Sequence, residues 1–483
     1  MLRRVSMAGQ DFAACTVASR RYLAFARVLA RSFLEHHPGG RFVVFIPDDP
    51  DRERSVGEGI EELRPADIGI DADEFDRMAM SYTVKELSCA MKVFVLEHLV
   101  KRGNTTILLD GDLCVYGDLS PLAELARLHG LVFTPHCVTP HPTPDGYPPM
   151  AARAPRMRNA VGPDQMAILS GTYNTGVMAA DRAAQPFLEW WRARVARYCL
   201  LEPDRGLFQE QGWTALAPTL FDSHVLRESG WNVNGFDLHD ADVTWQMGQP
   251  ELRGAPVRCF HYITFDPTRP ELLSADRYLA AVFPEPDERP GAMRLCSDYS
   301  ERILDAGHEE AQADVSPFDV LPGGIRVDPV MRAAYAEALL EHEAGRGPAP
   351  PNPLRSGDPE GWLRWLDEPA EVPAGSAPVS RYLVGLHTRE RWVYESFNDV
   401  PGSDAGAYLD WLPGAVDRGD LDIPQRWLPP VPPPRVDPAI AALEERCAEL
   451  DRRIAYYTGT LSWRLTAPLR RAAAALRGLR RTA

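Results

Sequence analysis

Asp110, Gly111 and Asp112 are the residues of this chain whose types and spacing most clearly suggest chemistry. They directly follow the uninterrupted apolar run Ile107–Leu109. Two carboxylates separated by a glycine, which permits a tight turn, suit a hard divalent cation that bridges a diphosphate. Such an ion neutralises the charge that develops on a leaving phosphate. An ordinary Asp-Gly turn is the alternative, because the same Asp-x-Asp spacing occurs at four other places in the chain.

Alternating strand and helix patterns in residues 11 to about 265 place this acidic motif at the edge of a sheet. Apolar runs predict buried strands at Phe12–Val17, Phe42–Ile46 and Thr105–Leu109. Apolar residues spaced three and four apart predict helices between them, one of which runs from Thr83 to Val100 and stops at Gly103. The alternation predicts an α/β fold with a doubly wound, mostly parallel sheet. Such sheets bind ligands at the carboxyl ends of their strands, where Asp110 lies.

The charge of the chain is divided unevenly between an acidic body and a basic tail. The 483 residues carry a formal charge of −16, which argues against a general nucleic-acid binder. Residues 461–483 contain six arginines and no acid, so the preceding 460 residues carry −22. Because leucines and Trp463 alternate with these arginines, the tail is predicted to contact an anionic membrane surface. A solvated helix end or a protein-docking tail is the alternative.

Composition shifts predict four segments. Residues 1–283 form the α/β domain, 284–427 a mainly helical accessory module, 428–438 a Pro-rich linker, and 439–483 a helix with the basic tail. The helix over 439–457 has one apolar stripe, which is compatible with weak coiled-coil self-association.

The cysteines and the hydropathy predict a cytoplasmic protein. The eight cysteines lie at least 23 positions apart and form no CxxC pair, which disfavours a disulfide framework or a zinc knuckle. No stretch approaches 18 uninterrupted apolar residues, and no signal-like apolar region follows the N-terminal arginines. Together with the basic tail, this predicts a location in the cytoplasm at the inner face of the cell membrane.

Five segments, in order, resemble nucleotide-sugar-dependent glycosyltransferases of the GT-A fold. They are residues 86–92, 107–119, 171–178, 208–213 and 258–262. The resemblance is to family 8, the glycogenin and galactosyltransferase group, and to bacterial surface-polysaccharide transferases. It implies a Rossmann-like GT-A domain, a nucleotide-sugar donor and a metal cofactor.

The resemblance implies a metal site and part of the donor site around the acidic motif. Asp110 and Asp112 would hold Mn²⁺ (or Mg²⁺), and His261 would add an imidazole ligand, a mixed set that suits Mn²⁺. Asp110 and Gly111 would also contact the donor. A packed or hydrogen-bonded histidine is the alternative for His261.

The resemblance places the nucleotide at the end of the first strand. Thr16, Ala18 and Ser19 would meet the nucleotide there, and Tyr22 would stack on it. Lys92 would neutralise phosphate, or else it lies on the exposed face of an amphipathic helix.

Two further segments are implied to surround the transferred sugar. Asn174 and Gly176 would line the donor or acceptor pocket, with the glycine letting the backbone approach the sugar. Gln211 would stabilise an oxocarbenium-like transition state, and Glu210 would contact sugar hydroxyls. The alternatives are a strand-edge bulge at 174–176 and a solvated turn at 210–211.

The predicted function is transfer of a sugar from a nucleotide-diphosphate donor to a cell-surface glycan or lipid-linked acceptor, with retention of configuration expected from the family. One alternative is a sugar nucleotidyltransferase, although residues 18–22 lack the glycine-rich loop typical of that class. The other is a degenerate, non-catalytic sugar- or partner-binding module, because no glycine follows His261 within three residues as is common in family 8.

Overall fold

The structure, a computed structural model, describes residues 12–141, 163–370, 377–429, 446–450 and 452–453. The chain divides into two compact units, Met1–Gly402 and Ser403–Ala483. All of the site residues predicted above belong to the first unit.

The described strands, in chain order, are β1 (Phe12–Val17), β2 (Arg41–Phe45), β3 (Glu61–Leu63), β4 (Thr105–Leu109), β5 (Leu113–Val115), β6 (Leu131–Pro135), β7 (Tyr173–Ala180), β8 (Leu201–Glu202), β9 (Leu207–Phe208), β10 (His224–Val225), β11 (Val243–Gln246), β12 (Gln249–Leu252), β13 (Ala255–Pro256), β14 (Cys259–His261), β15 (Val320–Leu321) and β16 (Ile325–Arg326).

Seven of these strands form one central sheet in the order β10-β6-β7-β4-β1-β2-β3. The neighbours β1/β2, β1/β4, β2/β3 and β6/β10 are parallel, whereas β7 runs antiparallel to β4 and β6. The predicted α/β fold with a mostly parallel sheet is therefore confirmed. The strands over 12–17 and 105–109 have the predicted bounds, and β2 begins and ends one residue earlier than predicted. The antiparallel insertion of β7 was not predicted.

The described helices, in chain order, are α1 (Leu23–His36), α2 (Ala72–Ser81), α3 (Val84–Lys101), α4 (Ser120–His129), α5 (Pro163–Ser170), α6 (Gln185–Tyr198), α7 (Gln211–Thr214), α8 (Ala217–Leu220), α9 (Pro290–Asp305), α10 (His308–Gln312), α11 (Pro329–Glu343), α12 (Pro353–Ser356), α13 (Pro359–Asp367), α14 (Arg381–Arg389), α15 (Arg391–Ser396) and α16 (Ala405–Asp417).

Helix α3 matters most for the site, and its ends follow from its sequence. Thr83 caps its N-terminus in a reciprocal capping box with Glu86. Gly103 follows its C-terminus with φ 87°, a conformation that favours glycine. The predicted helix from Thr83 to Val100 is thereby confirmed.

Helices cover both faces of the sheet, which explains why β4 ends in the uninterrupted apolar run Ile107–Leu109. Leu108 faces the side packed by α3 and α6, whereas Ile107 and Leu109 face the side packed by α1 and α4. A strand buried on both faces needs no polar alternation. The chain first becomes polar at Asp110, where the strand leaves this core.

The helices beyond residue 283 share a core with the α/β domain. Tyr299 and Ile303 of α9 belong to one buried cluster with Phe25 and Val28 of α1. The helical content predicted for 328–345 and 358–412 is confirmed by α11 and by α13 to α16. The predicted domain boundary between residues 283 and 284 stays a prediction.

Several predicted features lie largely outside the described residues. Residues 446–450 and 452–453 are helical, but the rest of the predicted 439–457 helix and the whole tail 461–483 are not described. Within the described part of the chain, no helix has the length and apolar character needed to cross a membrane.

A chain truncated after residue 283 is expected to lose its fold. The truncation uncovers Phe25 and Val28, whose burial stabilises by about 1.5–3 kcal/mol each, against a total stability of about 5–15 kcal/mol. Circular dichroism and size-exclusion chromatography should show an unfolded or aggregated product. A chain ending at Gly402, the boundary of the first compact unit, is the control and should remain folded. A monomeric, folded 1–283 fragment would instead support the predicted boundary.

Candidate functional site

Asp110, Asp112 and His261 come together at the carboxyl end of β4. The antiparallel pairing of β5 with β14 places His261 opposite Leu113, the residue after Asp112. His261 Nε2 lies 3.1 Å from Asp112 Oδ1 and 3.9 Å from Asp110 Oδ2. One ligand atom from each of the three residues lies within 4.8 Å of the others, a spacing that can hold a metal ion.

The donor set of this cluster fits Mn²⁺ or Mg²⁺. Carboxylates bind both ions well, and an imidazole ligand favours Mn²⁺ over Mg²⁺. His261 Nδ1 lies 3.2 Å from Asn232 Oδ1, so Nδ1–H donates to this amide and directs Nε2 at the two carboxylates. Burial favours the protonated form of Asp112, but the adjacent His261 outweighs it and lowers the pKa of that carboxyl. Asp112 is therefore ionised, as a metal ligand must be.

Lys92 forms a buried ion-pair network beneath the acidic motif. Its Nζ lies 2.6 Å from Asp110 Oδ1 and 2.7 Å from Glu210 Oε1, and the lysine is 8% exposed. Burial disfavours the ammonium, but the two carboxylates outweigh it and raise the pKa of Lys92 well above its ordinary value. The alternative that Lys92 lies on the exposed face of a helix is therefore wrong: α3 is covered by the sheet and by α6.

Glu210 is fixed by this network and is not a solvated turn residue. Its Oε1 accepts hydrogen bonds from Lys92 Nζ at 2.7 Å and Thr175 Oγ1 at 2.8 Å, and Trp191 Nε1 donates to its carbonyl at 2.9 Å. Burial would raise the pKa of Glu210, but Lys92 and Thr175 outweigh burial and lower it. Its buried Oε2 accepts no hydrogen bond from any described residue.

The Gln211 amide is held in place by three hydrogen bonds. Its Oε1 accepts from the Thr175 N–H at 3.2 Å, and its Nε2 donates to the Ser170 carbonyl at 2.9 Å and to His136 Nε2 at 3.3 Å. Burial lowers the pKa of His136 to about 4, so its ring is neutral and can accept. Both N–H groups of Gln211 are therefore used, and one Oε1 lone pair is left for a ligand.

The two predicted glycines of the site serve different purposes. A Cβ on Gly176 would lie 2.4 Å from His261 Cε1 and 2.6 Å from Asn174 Oδ1, whereas one on Gly111 would meet Thr16 Oγ1 and Tyr22 Cδ1 at an ordinary 3.9 Å. Gly176 thus makes room for the imidazole. Asn174 Oδ1 accepts from the Gly176 N–H at 2.7 Å and fixes the backbone of β7 beside the imidazole. The space around Gly111 would admit a side chain, so the packing does not support the expectation that a glycine is needed there for a tight turn.

A cavity of about 570 Å³ opens beside the acidic motif. Of the predicted donor-binding residues, those that line it are Ser19, Tyr22, Lys92, Asp110 and Gly111, together with the metal-site residue Asp112. Thr16 and Ala18 are completely buried behind this wall. The lining does not include Asn174, Gly176, Glu210, Gln211 or His261.

Much of the cavity wall was not predicted, including Val17, Arg21, the start of α3 (Thr83, Val84, Lys85, Ser88 and Cys89) and two further parts. Asp48, which follows β2 at the same sheet edge as Asp110, lines the cavity, as do several residues beyond 283, here called the outer wall: Gln312, Ser316, Asp319, Val327, Pro329 and Arg332. Asp48 could have been found from its place after an apolar strand in the predicted sheet. The outer wall has no sequence signal, because its residues meet the pocket only through tertiary packing.

The outer wall is fastened to the α/β part by polar contacts. Gln312 Oε1 accepts from Arg21 Nη2 at 2.8 Å, and Arg332 Nη1 donates to the Ala79 carbonyl at 2.7 Å. Arg332 also donates to Asp319 Oδ1 at 2.9 Å. The outer wall is thus joined to Arg21, which lines the cavity, and to Ala79 of α2.

No family model matches the chain. The uncharacterized protein YfnF of Bacillus subtilis (strain 168) is 27% identical over 161 residues, which are 32% of this chain and 47% of YfnF. The match therefore spans about half the length of that curated relative.

Three solved structures with similar folds are glycosyltransferases. The galactosyltransferase LgtC, solved with donor and acceptor sugar analogs, has a TM-score of 0.34 and 14% identity, covering 61% of this chain and 96% of LgtC. Mouse xyloside xylosyltransferase 1 has a TM-score of 0.30 and 15% identity, covering 52% and 97%. The bifunctional glycosyltransferase WbbM has a TM-score of 0.33 and 14% identity, covering 63% and 53%.

Gly176→Ala is expected to displace His261 and weaken Mn²⁺ binding, with an overpacking cost of about 1–3 kcal/mol. Gly111→Ala is the matched control, expected to stay within about 1 kcal/mol of wild type. Urea unfolding and Mn²⁺ titration calorimetry check both. Equal effects of the two substitutions would contradict the packing role assigned to Gly176.

Lys92→Met is expected to lower the free energy of unfolding by about 3–5 kcal/mol, because it leaves the Glu210 carboxylate buried without its cation. Adding Glu210→Gln should restore part of this loss, since the second substitution removes the unpaired charge. Urea denaturation followed by tryptophan fluorescence measures both variants. An unchanged midpoint for Lys92→Met would show that the ion pairs contribute nothing to stability.

Proposed function

We propose that this protein is a metal-dependent GT-A glycosyltransferase, similar to family 8, that transfers a sugar from a nucleotide-diphosphate donor. The observation that carries the proposal is the Asp110–Asp112–His261 cluster at the carboxyl edge of a mostly parallel sheet, two residues of which, Asp110 and Asp112, line a cavity of about 570 Å³. That volume falls in the range of small-molecule and cofactor sites.

In this proposal Asp110, Asp112 and His261 hold Mn²⁺ or Mg²⁺, which when bound offsets the charge of the diphosphate leaving group. Lys92 fixes the orientation of Asp110 through their 2.6 Å ion pair. Its charge also compensates the buried carboxylate of Glu210 through their 2.7 Å ion pair. Ser19 and Tyr22, which line the same cavity as the acidic motif, contact the nucleotide.

Gln211 and Glu210 stand on the sugar side of the proposed site. The remaining Oε1 lone pair of Gln211 presents the negative end of an amide dipole, which stabilises positive charge at an anomeric carbon. The unpartnered Oε2 of Glu210 can accept a hydrogen bond from a sugar hydroxyl. Gly176 leaves the space that the His261 ring occupies, and Asn174 fixes the Gly176 backbone, so both act on that region indirectly.

The stereochemical and cellular parts of the proposal rest on the sequence resemblance. We propose retention of anomeric configuration and a cell-surface glycan or lipid-linked acceptor. The tail 461–483 would bring the enzyme to the inner face of the cell membrane, and 439–457 would support weak self-association. A cytoplasmic location fits the sparse cysteines, each of which is a free thiol.

The proposal predicts Mn²⁺-dependent turnover of a nucleotide-sugar. The purified protein is incubated with a panel of UDP-, GDP-, TDP- and CMP-sugars with Mn²⁺ or EDTA, and release of the nucleotide is measured. Release with at least one donor, lost in EDTA, is expected. Asp112→Asn should reduce it at least ~100-fold, because it weakens a charged ligand on the metal.

Asp422→Asn is the matched control, since this residue ends another Asp-x-Asp pair but is exposed. It should leave turnover at the wild-type rate. Absence of both turnover and metal-dependent donor binding would contradict the transferase proposal and favour a non-catalytic module. Release of pyrophosphate from a nucleoside triphosphate and a sugar phosphate would identify a nucleotidyltransferase instead.

A further inference from the structure

A chain of buried side chains connects β6 to the His261 ring. Thr134, which belongs to β6, is 1% exposed, and Asn232 is 6% exposed. Asn232 Nδ2 lies 2.9 Å from Thr134 Oγ1, and Asn232 Oδ1 lies 3.2 Å from His261 Nδ1. The proposed function gives Thr134 no role, although it stands at the start of this chain.

The direction of the hydrogen bonds is fixed at the Thr134 end. Thr134 Oγ1 lies 2.7 Å from the Val177 carbonyl oxygen and 3.4 Å from the Asn174 carbonyl oxygen. A carbonyl oxygen can only accept, so the hydroxyl proton is donated there. The Thr134 oxygen then has only lone pairs left for Asn232 and must accept from its NH₂ group. The amide therefore presents Oδ1 to His261, and Nδ1 of the ring must carry a proton.

This ring orientation leaves the lone pair of Nε2 for a cation, because the hydrogen bond at one ring nitrogen decides what the other can bind. His261 Nε2 lies 3.1 Å from Asp112 Oδ1. Adjacent ligands of an octahedral ion lie about 3 Å apart when its bonds are about 2.1 Å long. If the amide were reversed, Nδ1 would accept and Nε2 would carry the hydrogen, so the ring could not bind a metal. Metal binding by His261 thus depends on Thr134.

The carbonyl that accepts the Thr134 proton belongs to an irregular part of the sheet. The pairing of β6 with β7 shifts register just before Thr134 and passes over residues 175–177 of β7. Bulges of this kind are frequent next to active sites, where they re-aim side chains. The same bulge contains Gly176, whose missing Cβ makes room for the His261 ring. One distortion of β7 therefore both admits the ring and fixes its orientation.

We infer that Thr134 is a positioning residue for the proposed metal site. Through Asn232 it holds His261 in the tautomer whose Nε2 can bind a metal, and it thereby sets the affinity for Mn²⁺. The inference rests on the proposed function and extends it to a residue outside the set of ligands. Loss of a hydrogen-bond partner behind a metal ligand typically costs about 10–100-fold in metal affinity.

Thr134→Val and Thr134→Ser in the full-length protein are the central comparison. Valine has the shape of threonine without the hydroxyl, so the Asn232 amide can turn its NH₂ group toward His261 and favour the wrong tautomer. Titration calorimetry should show Mn²⁺ affinity at least ~10-fold weaker for Thr134→Val. Thr134→Ser keeps the hydroxyl and should bind Mn²⁺ nearly as well as the wild type.

Thr106→Val is the matched control. Thr106 is a completely buried threonine of β4 in the same sheet, and its hydroxyl donates to the Asn104 carbonyl at 3.3 Å. Its substitution should leave Mn²⁺ affinity unchanged. Asn232→Ala removes the amide itself and should reproduce the loss seen with Thr134→Val, so the test does not depend on one variant. Circular dichroism confirms that each variant is folded.

Two further measurements distinguish positioning of the ring from a general loss of stability. Pulsed EPR of the wild type with Mn²⁺ should show coupling of the ion to an imidazole nitrogen, weakened in Thr134→Val and retained in Thr134→Ser. In a His261→Ala background, Thr134→Val should cause no further loss of Mn²⁺ affinity, because no ring remains to be oriented.

The outcomes separate this inference from the proposed function. Wild-type Mn²⁺ affinity in Thr134→Val, equal losses in Thr134→Val and Thr134→Ser, an undiminished loss in the His261→Ala background, or no nitrogen coupling in the wild type overturns the role of Thr134. Each of these leaves the transferase proposal standing, since the two carboxylates can still hold the ion. A wild-type protein that binds no Mn²⁺, with or without a nucleoside diphosphate, overturns the proposed metal-dependent function itself.

Discussion

The buried ammonium of Lys92 is the interaction on which the rest of the site depends. It lies within 2.7 Å of carboxylates from two distant parts of the chain, Asp110 after β4 and Glu210 before α7. Bringing two carboxylates into a protein interior is unfavourable unless a cation lies between them. Lys92 removes this penalty, and because α3 is packed against the sheet, the cation also fixes where both carboxylates stand.

A second constraint ties the imidazole to the same frame. His261 belongs to a short two-stranded sheet with β5, separate from the central sheet. Its ring is positioned by the Asn232 amide on one side and by the missing Cβ of Gly176 on another. The three proposed ligands thus come from two sheets, and a small residue in β7 permits their approach. The antiparallel β7 is therefore more than an addition to the sheet, since it supplies the space the histidine needs.

Much of this arrangement could be predicted from local sequence, and the remainder could not for identifiable reasons. The strand before Asp110 was predictable because both of its faces are buried, which leaves an uninterrupted apolar run. Helix α3 was predictable from its spacing, its capping box and Gly103. Whether Lys92 is buried or exposed was not predictable, because α3 is covered on nearly all sides and its sequence lacks a clear polar face. Asp48 was overlooked because an acid after a strand resembles an ordinary turn.

The outer wall has a consequence for how the protein matures on the ribosome. The acidic motif, the histidine and the buried lysine have all been synthesised by residue 261, but Ser316, Asp319 and Arg332 of the cavity wall have not. A nascent chain of intermediate length therefore contains every proposed metal ligand while the proposed nucleotide pocket is still open on one side. Under the proposed function, affinity for nucleotide would arise only when the later helices dock, after Arg332 has been synthesised. In such a molecule a bound nucleotide would report, and would stabilise, the completed association of segments that lie far apart in the sequence.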